Sequence, residues 1–318
     1  MRAVVVGGGS WGTAFAWLLA EHGHETTLAC RDPVQAEAIA ATGHNPRYLP
    51  LAPLDRITAT TIADAPAADA DLVVVAVPSS AFADVVRTLP GDCPVLSLTK
   101  GLDPETSQRL STLVENRPVA CLSGPNFAEE IAAGLPAAAV VASEDEALAV
   151  RLQEAINSPT FRVYVNTDIV GVEFCGAAKN VIALAAGGVD GLGLGDNAKA
   201  GVITRGVAEM ARLGVAAGAR VETFAGLAGM GDLMVTCWSR LGRNRRAGEL
   251  IAQGRAAEEA VAEIGQVVEG LNTAAPLRDL ARRLSVDLPI TEAVCSVLGG
   301  ESLTDLVGSI MDRTPKSE

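Results

Sequence analysis

The sequence predicts an α/β chain: a doubly wound parallel sheet followed by an all-helical C-terminal domain. Three observations predict it. Short, continuous apolar runs recur through the first half, as in a sheet covered on both faces. Helical stretches separate them, as in parallel crossover units. From about Asp168 the β-branched runs give way to Ala, Gly and Leu patterns of helical period. The expected domains are residues 1–166 and 167–318, and 318 residues suffice for about two domains.

The elements follow in order. The first strand is expected at 3–6 and a helical run at 13–21, closed by Gly23. Between them lies Gly7-Gly8-Gly9-Ser10-Trp11-Gly12. Strand, glycine turn and helix in this order form a dinucleotide-binding fingerprint of the Rossmann type. Gly7 makes the tight turn, Gly9 lets the backbone approach a pyrophosphate, and Gly12 lets the helix pack close to the strand. The helix N-terminus adds free N–H groups and positive dipole. The plainer alternative is a glycine-rich turn of any α/β protein. Further strands are expected at 26–30, 72–77, 95–98 and 119–122, then 137–142 and 162–165. Ligands of such sheets gather at the carboxyl ends of the strands. Arg31, Pro78-Ser79, Lys100 and Gly124-Pro125-Asn126 fall there. The alanine-rich 63–70 reads as a loop and helix start. Beyond Asp168, glycine breaks at 187–195, 226–231 and 299–300 divide a helical domain running to about residue 310. The polar 312–318 are expected to fray.

Composition narrows the function. A net charge of −13 argues against a nucleic-acid surface, and an acidic chain that binds phosphate must concentrate positive groups locally. The six cysteines lie far apart with no CxxC, the pattern of reduced thiols. No signal peptide is evident and no run of about 20 apolar residues is read as spanning a bilayer, so a cytoplasmic chain without membrane insertion is expected. No metal site is expected. Only four of the 25 basic residues are lysines: Lys100, Lys179, Lys199 and Lys316. A chain that prefers arginine keeps lysine where it needs a compact or titratable ammonium. The three histidines, His22, His24 and His44, all lie in the first 44 residues. Acid–base chemistry in the helical domain therefore falls to lysine or a carboxylate.

The candidates stand as follows. Arg31 occupies the place after the second strand where an NAD enzyme usually carries Asp or Glu. It suits a 2′-phosphate, so NADP(H) is favoured over NAD(H), with Asp32 as the alternative ribose partner. Lys179 shares a helical face with Val172, Cys175, Gly176, Ile182, Ala183 and Ala186, while Glu173 and Asn180 share another. Small apolar neighbours desolvate a lysine and leave room for a ligand. The alternative is a lysine snorkelling to solvent. Asp232 reads equally as a helix N-cap or as a carboxylate that orients a lysine ammonium or binds a substrate hydroxyl. The cluster Arg240-Leu241-Gly242-Arg243-Asn244-Arg245-Arg246 suggests anion binding, with Arg243 and Asn244 as a phosphate clamp; the alternative is a solvated helix face. Asp196 and Asn197 read as turn or cap residues and Lys199 as structural.

Together these segments resemble the bacterial-type NAD(P)-dependent glycerol-3-phosphate dehydrogenases over nearly the whole chain. The segments are Gly7–Gly12 with Thr13-Ala14, Asn45-Pro46-Arg47-Tyr48-Leu49-Pro50, Thr99-Lys100-Gly101, Ser123-Gly124-Pro125, and Glu173 through Asn180. Ala228-Gly229-Met230-Gly231-Asp232-Leu233, Arg243-Asn244-Arg245-Arg246 and Gln266-Val267-Val268-Glu269-Gly270 complete the set.

The resemblance implies reversible reduction of dihydroxyacetone phosphate to sn-glycerol 3-phosphate, feeding glycerophospholipid synthesis. It implies Lys179 as proton donor and acceptor. It implies substrate contacts from Lys100, Gly124, Asn126, Asp232, Gly242, Arg243 and Asn244. Cofactor contacts are implied for Ser10, Trp11, Arg31, Lys100, Ala128, Arg243, Val267 and Glu269, and a homodimer is suggested. Two positions depart from the commoner pattern: Asn126 stands for Ser or Thr, and Gly242 stands for a serine before the arginine. The rival expectations are a 2-dehydropantoate reductase, a β-hydroxyacid dehydrogenase, and a non-catalytic NADP(H) sensor. Only a phosphate-bearing substrate needs the Arg243-Asn244 clamp, and a sensor has no use for Lys179 on its small-residue face.

Overall fold

A computed structural model describes residues 1–304. The expected end of the helical domain near residue 310, the polar 312–318 and Lys316 lie outside the described residues. The first half comprises β1 (Arg2–Val6), α1 (Ser10–Glu21), β2 (Glu25–Cys30), α2 (Pro33–Thr42), β3 (Ile57–Thr61), β4 (Leu72–Val75), α3 (Ser79–Thr88) and β5 (Val95–Ser97). It continues through β6 (Val119–Ser123), α4 (Ala128–Ala132), β7 (Ala137–Ala142), α5 (Glu146–Ile156) and β8 (Phe161–Asn166). The helical half comprises α6 (Ile169–Gly191), α7 (Gly195–Ala216), α8 (Asp232–Trp238), α9 (Arg243–Ala252), α10 (Ala257–Ile264), α11 (Glu269–Arg283) and α12 (Pro289–Leu298).

The strands form one sheet in the order β3-β2-β1-β4-β5-β6-β7-β8. Strand side chains alternate between two buried faces. Ala3, Val5, Leu72 and Val74 join Phe15 and Leu19 of α1 on one side. Val4, Val6, Val73 and Val75 join Phe82 of α3 on the other. Burial on both faces is why these strands read as unbroken apolar runs. The order reverses between β1 and β4, so the crevice at their carboxyl ends is the topological switch point.

Three expectations need correction. The strand β3 was not anticipated: it is a half-exposed edge of sequence ITATT, whose threonines hide it from a search for apolar runs. The pairing of β6 with β7 is antiparallel, although β7 with β8 is parallel. The five-residue α4 rises only about 7.5 Å, too little to carry the chain back along the sheet. The chain therefore turns at the carboxyl end of β6 and keeps Gly124 to Ala128 there. Finally, α6 is long and apolar enough to cross a membrane, with 23 residues and a mean hydropathy of 1.6, contrary to the expectation of no such run; 89% of that stretch is buried inside the protein.

Asp168 starts α6 by accepting the Gly171 N–H at 2.8 Å, and its other oxygen takes the Arg220 N–H and the Thr223 hydroxyl. The helix then runs through the core of the second half. Glycines let α9 lie directly on it. A Cβ at Gly187 would strike the Arg245 carbonyl, and one at Gly248 the Leu184 carbonyl. This crossing fixes the start of α9 relative to Lys179 in α6.

Candidate active site

The glycine loop has the division of labour its spacing predicts. Gly7 has φ +119°, and a Cβ there would lie 2.5 Å from the Ala76 carbonyl oxygen. A Cβ on Gly12 would overlap the Gly7 carbonyl. Around Gly9 nothing lies within 4 Å of an added Cβ, so the loop is tight at both ends and open in the middle. That is a cradle into which a pyrophosphate fits. Asn45 supports it from below: its Nδ2 donates to the Gly8 carbonyl and the Thr13 hydroxyl. Ser10 begins α1 and donates to Gln266 Oε1 at 3.4 Å. Trp11 stacks edge-on against Phe15, with ring centroids 5.7 Å apart.

Arg31 is exposed just beyond β2. Asp32 caps α2 by accepting the Val34 N–H, so one of its oxygens is already occupied. Ala128 is the buried first residue of α4, beyond the turn after β6.

A second centre lies where β5, β6, α6 and α8 converge. Lys179 is buried, and its Nζ donates to Asp232 Oδ1 at 2.5 Å and to the Thr236 hydroxyl at 3.0 Å. Lys100 Nζ donates to Asp232 Oδ2 at 2.8 Å, Asn126 Oδ1 at 3.0 Å and the Gly124 carbonyl at 3.3 Å. One carboxylate thus bridges two ammonium groups. Of the two sequence readings of Asp232, the orienting carboxylate is the one its hydrogen bonds satisfy, and its side chain caps no helix. Gly124 has φ +144°, and a Cβ there would crowd Ala139 Cα at 2.9 Å. Gly176, one turn before Lys179, leaves space facing Lys100 and Ser123. Asn126 Nδ2 is buried with no partner among the described residues, so a donor remains beside Lys100.

Burial pushes the Lys179 ammonium down to about 7; Lys100 acts in the same direction and Asp232 opposes. Burial raises Asp232, but Lys100 and Lys179 outweigh it and hold the carboxyl below its ordinary range. The pair therefore keeps a charged carboxylate beside a lysine able to gain or lose a proton near neutrality.

The basic cluster separates into structural and available arginines. Arg245 donates to Asp190 and Glu249, and Arg246 to Glu263. Arg243 is exposed, and its hydrogen bonds go to the neutral oxygens of Gln266 and Val267 at 3.3 Å. Arg243 opens α9, whose first N–H groups lack intrahelical acceptors. Asn244 sits differently from a free clamp: its carboxamide donates to Asn180 Oδ1 and accepts from Gly270 N. It ties α6 to α11 and offers its N–H at the helix start. At Gly242 a Cβ would overlap the Thr236 carbonyl and lie 3.1 Å from that of Ser239, so the departure from serine goes with a tight turn. Lys199 is structural, paired with Asp190 and lying over the Trp238 ring. Asp196 lies in the first turn of α7, with Leu194 at the cap, so neither Asp196 nor Asn197 is the cap residue.

Thr236 escaped the sequence reading, and the partners of Ser79 and Gln266 were not foreseen. Thr236 stands one helical turn after Asp232, a spacing that would have found it. Gln266 and Ser79 lay within segments already singled out, but nothing local marked them as partners of Ser10 and Glu269.

Known proteins place this geometry. The family model for the N-terminus of NAD-dependent glycerol-3-phosphate dehydrogenase matches residues 2–149, and that for its C-terminus matches 168–307. The chain belongs to the NAD-dependent glycerol-3-phosphate dehydrogenase family. It is 50% identical to a glycerol-3-phosphate dehydrogenase [NAD(P)+] of Moorella thermoacetica, over 97% of this chain and 95% of that one. The crystal structure of glycerol-3-phosphate dehydrogenase from Coxiella burnetii superposes with a TM-score of 0.93 at 36% identity, covering 98% and 99% of the two chains. A ketopantoate reductase of Ralstonia eutropha reaches a TM-score of 0.60 at 17% identity over 94% and 97%. That likeness extends to the fold alone. As a member of the dehydrogenase family, the chain carries the family's Rossmann-type domain and its helical partner.

Proposed function

We propose that the chain reversibly reduces dihydroxyacetone phosphate to sn-glycerol 3-phosphate, with NADPH preferred over NADH. The observation that carries the reading is the buried Lys179–Asp232–Lys100 bridge, together with an open glycine cradle and an exposed Arg243 that pairs with no carboxylate among the described residues. Residues 1–166 hold the cofactor through Gly7, Gly9, Ser10, Trp11, Gly12, Arg31 and Ala128. Arg243, Val267 and Glu269 of the helical half complete the cofactor site. When bound, the nicotinamide supplies a hydride for the substrate's C2 ketone.

The chain's own residues do the rest. Arg243 and the start of α9, with Gly242 and Asn244, hold the phosphate by charge-assisted hydrogen bonds. That anchoring fixes the ketone beside Lys179. Lys100 and the free Nδ2 of Asn126 orient the hydroxyl end, with Gly124 shaping the floor. As negative charge develops on the ketone oxygen, the Lys179 ammonium stabilises it and then donates its proton. In oxidation the neutral amine takes the proton back. Asp232 and Thr236 hold Lys179 Nζ in place throughout. A homodimer in the cytoplasm is proposed on family likeness.

The test is NADPH consumption by the purified protein on addition of dihydroxyacetone phosphate, repeated with NADH and with ketopantoate. Rapid oxidation with dihydroxyacetone phosphate alone is expected. Oxidation with ketopantoate instead would overturn the substrate, and tight NADPH binding without turnover on either would overturn catalysis.

A further inference from the structure

Glu269 faces Ser79 across the join between the two halves of the molecule. Ser79 is the buried first residue of α3, at the carboxyl end of β4 and so at the switch point. Its backbone N–H donates to Glu269 Oε1 at 3.2 Å and its hydroxyl donates to Glu269 Oε2 at 2.8 Å. Both carboxylate oxygens are thus occupied by one residue of the opposite half. A carboxylate is also the group a helix N-terminus favours, and α3 has no side-chain cap of its own.

The surroundings lock this contact. A Cβ on Gly101 would lie 2.9 Å from Ser79 Cβ and 3.4 Å from the Thr273 hydroxyl oxygen. The missing side chain lets the segment after Lys100 press against Ser79, while Thr273 arrives from α11 one turn after Glu269. Ser79 therefore stands where three segments meet: the end of β5 with Lys100, the start of α3, and the start of α11. Three residues before Glu269, Gln266 takes the Ser10 hydroxyl. The 266–269 segment is consequently tied to the first residues of α1 and of α3, on the two sides of the switch point. Val267 lies between the ties, 40% exposed.

We propose that Ser79 is a positioning residue for cofactor binding: by gripping both oxygens of Glu269 it seats the 266–269 segment over the switch-point crevice. This rests on the reading of that crevice as the cofactor site. Ser79 holds the wall of the site in place and leaves proton transfer to Lys179. Losing its hydroxyl frees one carboxylate oxygen and lets the segment drift, which weakens cofactor capture; Arg243, hydrogen-bonded to Gln266 and Val267, shifts with it.

The test is a fluorescence titration of the full chain with NADPH, for the wild type, Ser79→Ala, Ser79→Thr, Glu269→Gln and the double variant Ser79→Ala/Glu269→Gln. Thermal melts check that each is folded. Ser79→Ala is expected to raise the Kd for NADPH about five- to tenfold. Ser79→Thr, which keeps the hydroxyl, should restore binding. The double variant should bind no worse than the weaker single one, because both changes cut the same contact. A general loss of structure would lower the active fraction and kcat without moving Kd. Unchanged NADPH affinity in Ser79→Ala, or losses that multiply in the double variant, overturns the proposal. A wild type that fails to bind NADPH overturns instead the cofactor reading on which it stands.

Discussion

In the proposed reaction Lys179 concentrates the proton chemistry in a single side chain. Burial brings its pKa to about 7, so both protonation states are accessible near neutrality. Reduction needs the ammonium and oxidation the amine. The kcat/KM for dihydroxyacetone phosphate should therefore fall by about tenfold per pH unit above that value, while that for glycerol 3-phosphate rises as the pH approaches it and then levels; parallel profiles in the two directions would remove Lys179 from proton transfer. Lys179→Ala should cost roughly 10²- to 10⁴-fold in turnover with NADPH affinity nearly intact. Arg243→Ala tests the clamp. A charge-assisted hydrogen bond contributes about 1.5–3 kcal/mol, so KM for the phosphorylated substrate should rise roughly 10- to 100-fold; an unchanged KM sinks the clamp. Arg31→Ala should weaken NADPH well beyond NADH, since Arg31 is exposed where a 2′-phosphate would lie and Asp32 is engaged in capping. Equal losses for the two cofactors would refute that contact.

Helix crossings decide whether these side chains meet. A Cβ at Gly187 of α6 would strike the backbone carbonyl of Arg245 in α9, which cannot rotate away. Gly187→Ala gains about 1 kcal/mol of helix propensity but incurs an overpacking cost of roughly 1–3 kcal/mol or more. The melting temperature should fall and KM for the phosphate substrate rise together, because the start of α9 is displaced. Gly201 in α7 is the control: nothing lies within 4 Å of its added Cβ, so Gly201→Ala should raise stability by up to about 1 kcal/mol. A stabilised Gly187→Ala would show that the crossing relaxes. These elements also show what was legible in advance. Apolar runs marked β1, β2 and β4 because both faces of those strands are buried, whereas the edge strand β3 carries threonines and gave no such run. The glycine loop was readable because Gly7 and Gly12 sit where a Cβ would clash with backbone, at the expected spacing. Lys179 was readable from its small-residue face, and Asp232 only in part, because a capping aspartate and an orienting one look alike until Lys100 and Lys179 are seen converging on it. The antiparallel β7 was hidden, since strand direction depends on where a five-residue helix leaves the chain.

At the scale of the whole molecule, Asp232 joins the two halves through charge. Lys100 follows a sheet strand, Lys179 lies on a core helix, and both ammonium groups meet one buried carboxylate at 2.8 and 2.5 Å. Asp232→Asn leaves two cations with no counter-charge between them. Breaking a buried pair in this way costs roughly 3–5 kcal/mol, and the protein can limit the cost only by deprotonating Lys179. Its pKa, about 7 with the carboxylate present, should fall further, and the pH profile of ketone reduction should move down with it. The stability consequence has a definite sign. An unfolded lysine titrates near its ordinary 10.5, so a folded pKa below that makes stability rise with pH between the two values. Above about pH 7 Lys179 is neutral in both folded proteins, and the stability gap between wild type and Asp232→Asn should be constant. As the pH drops below that point the wild type protonates Lys179 beside its carboxylate, while the variant must keep the amine neutral or bury a bare charge. The gap should therefore widen on acidification, until Asp232 itself is protonated below its depressed pKa. Chemical denaturation of both proteins across pH 5–9 would measure it, and a gap independent of pH would mean that Asp232 is not what allows Lys179 to carry its proton.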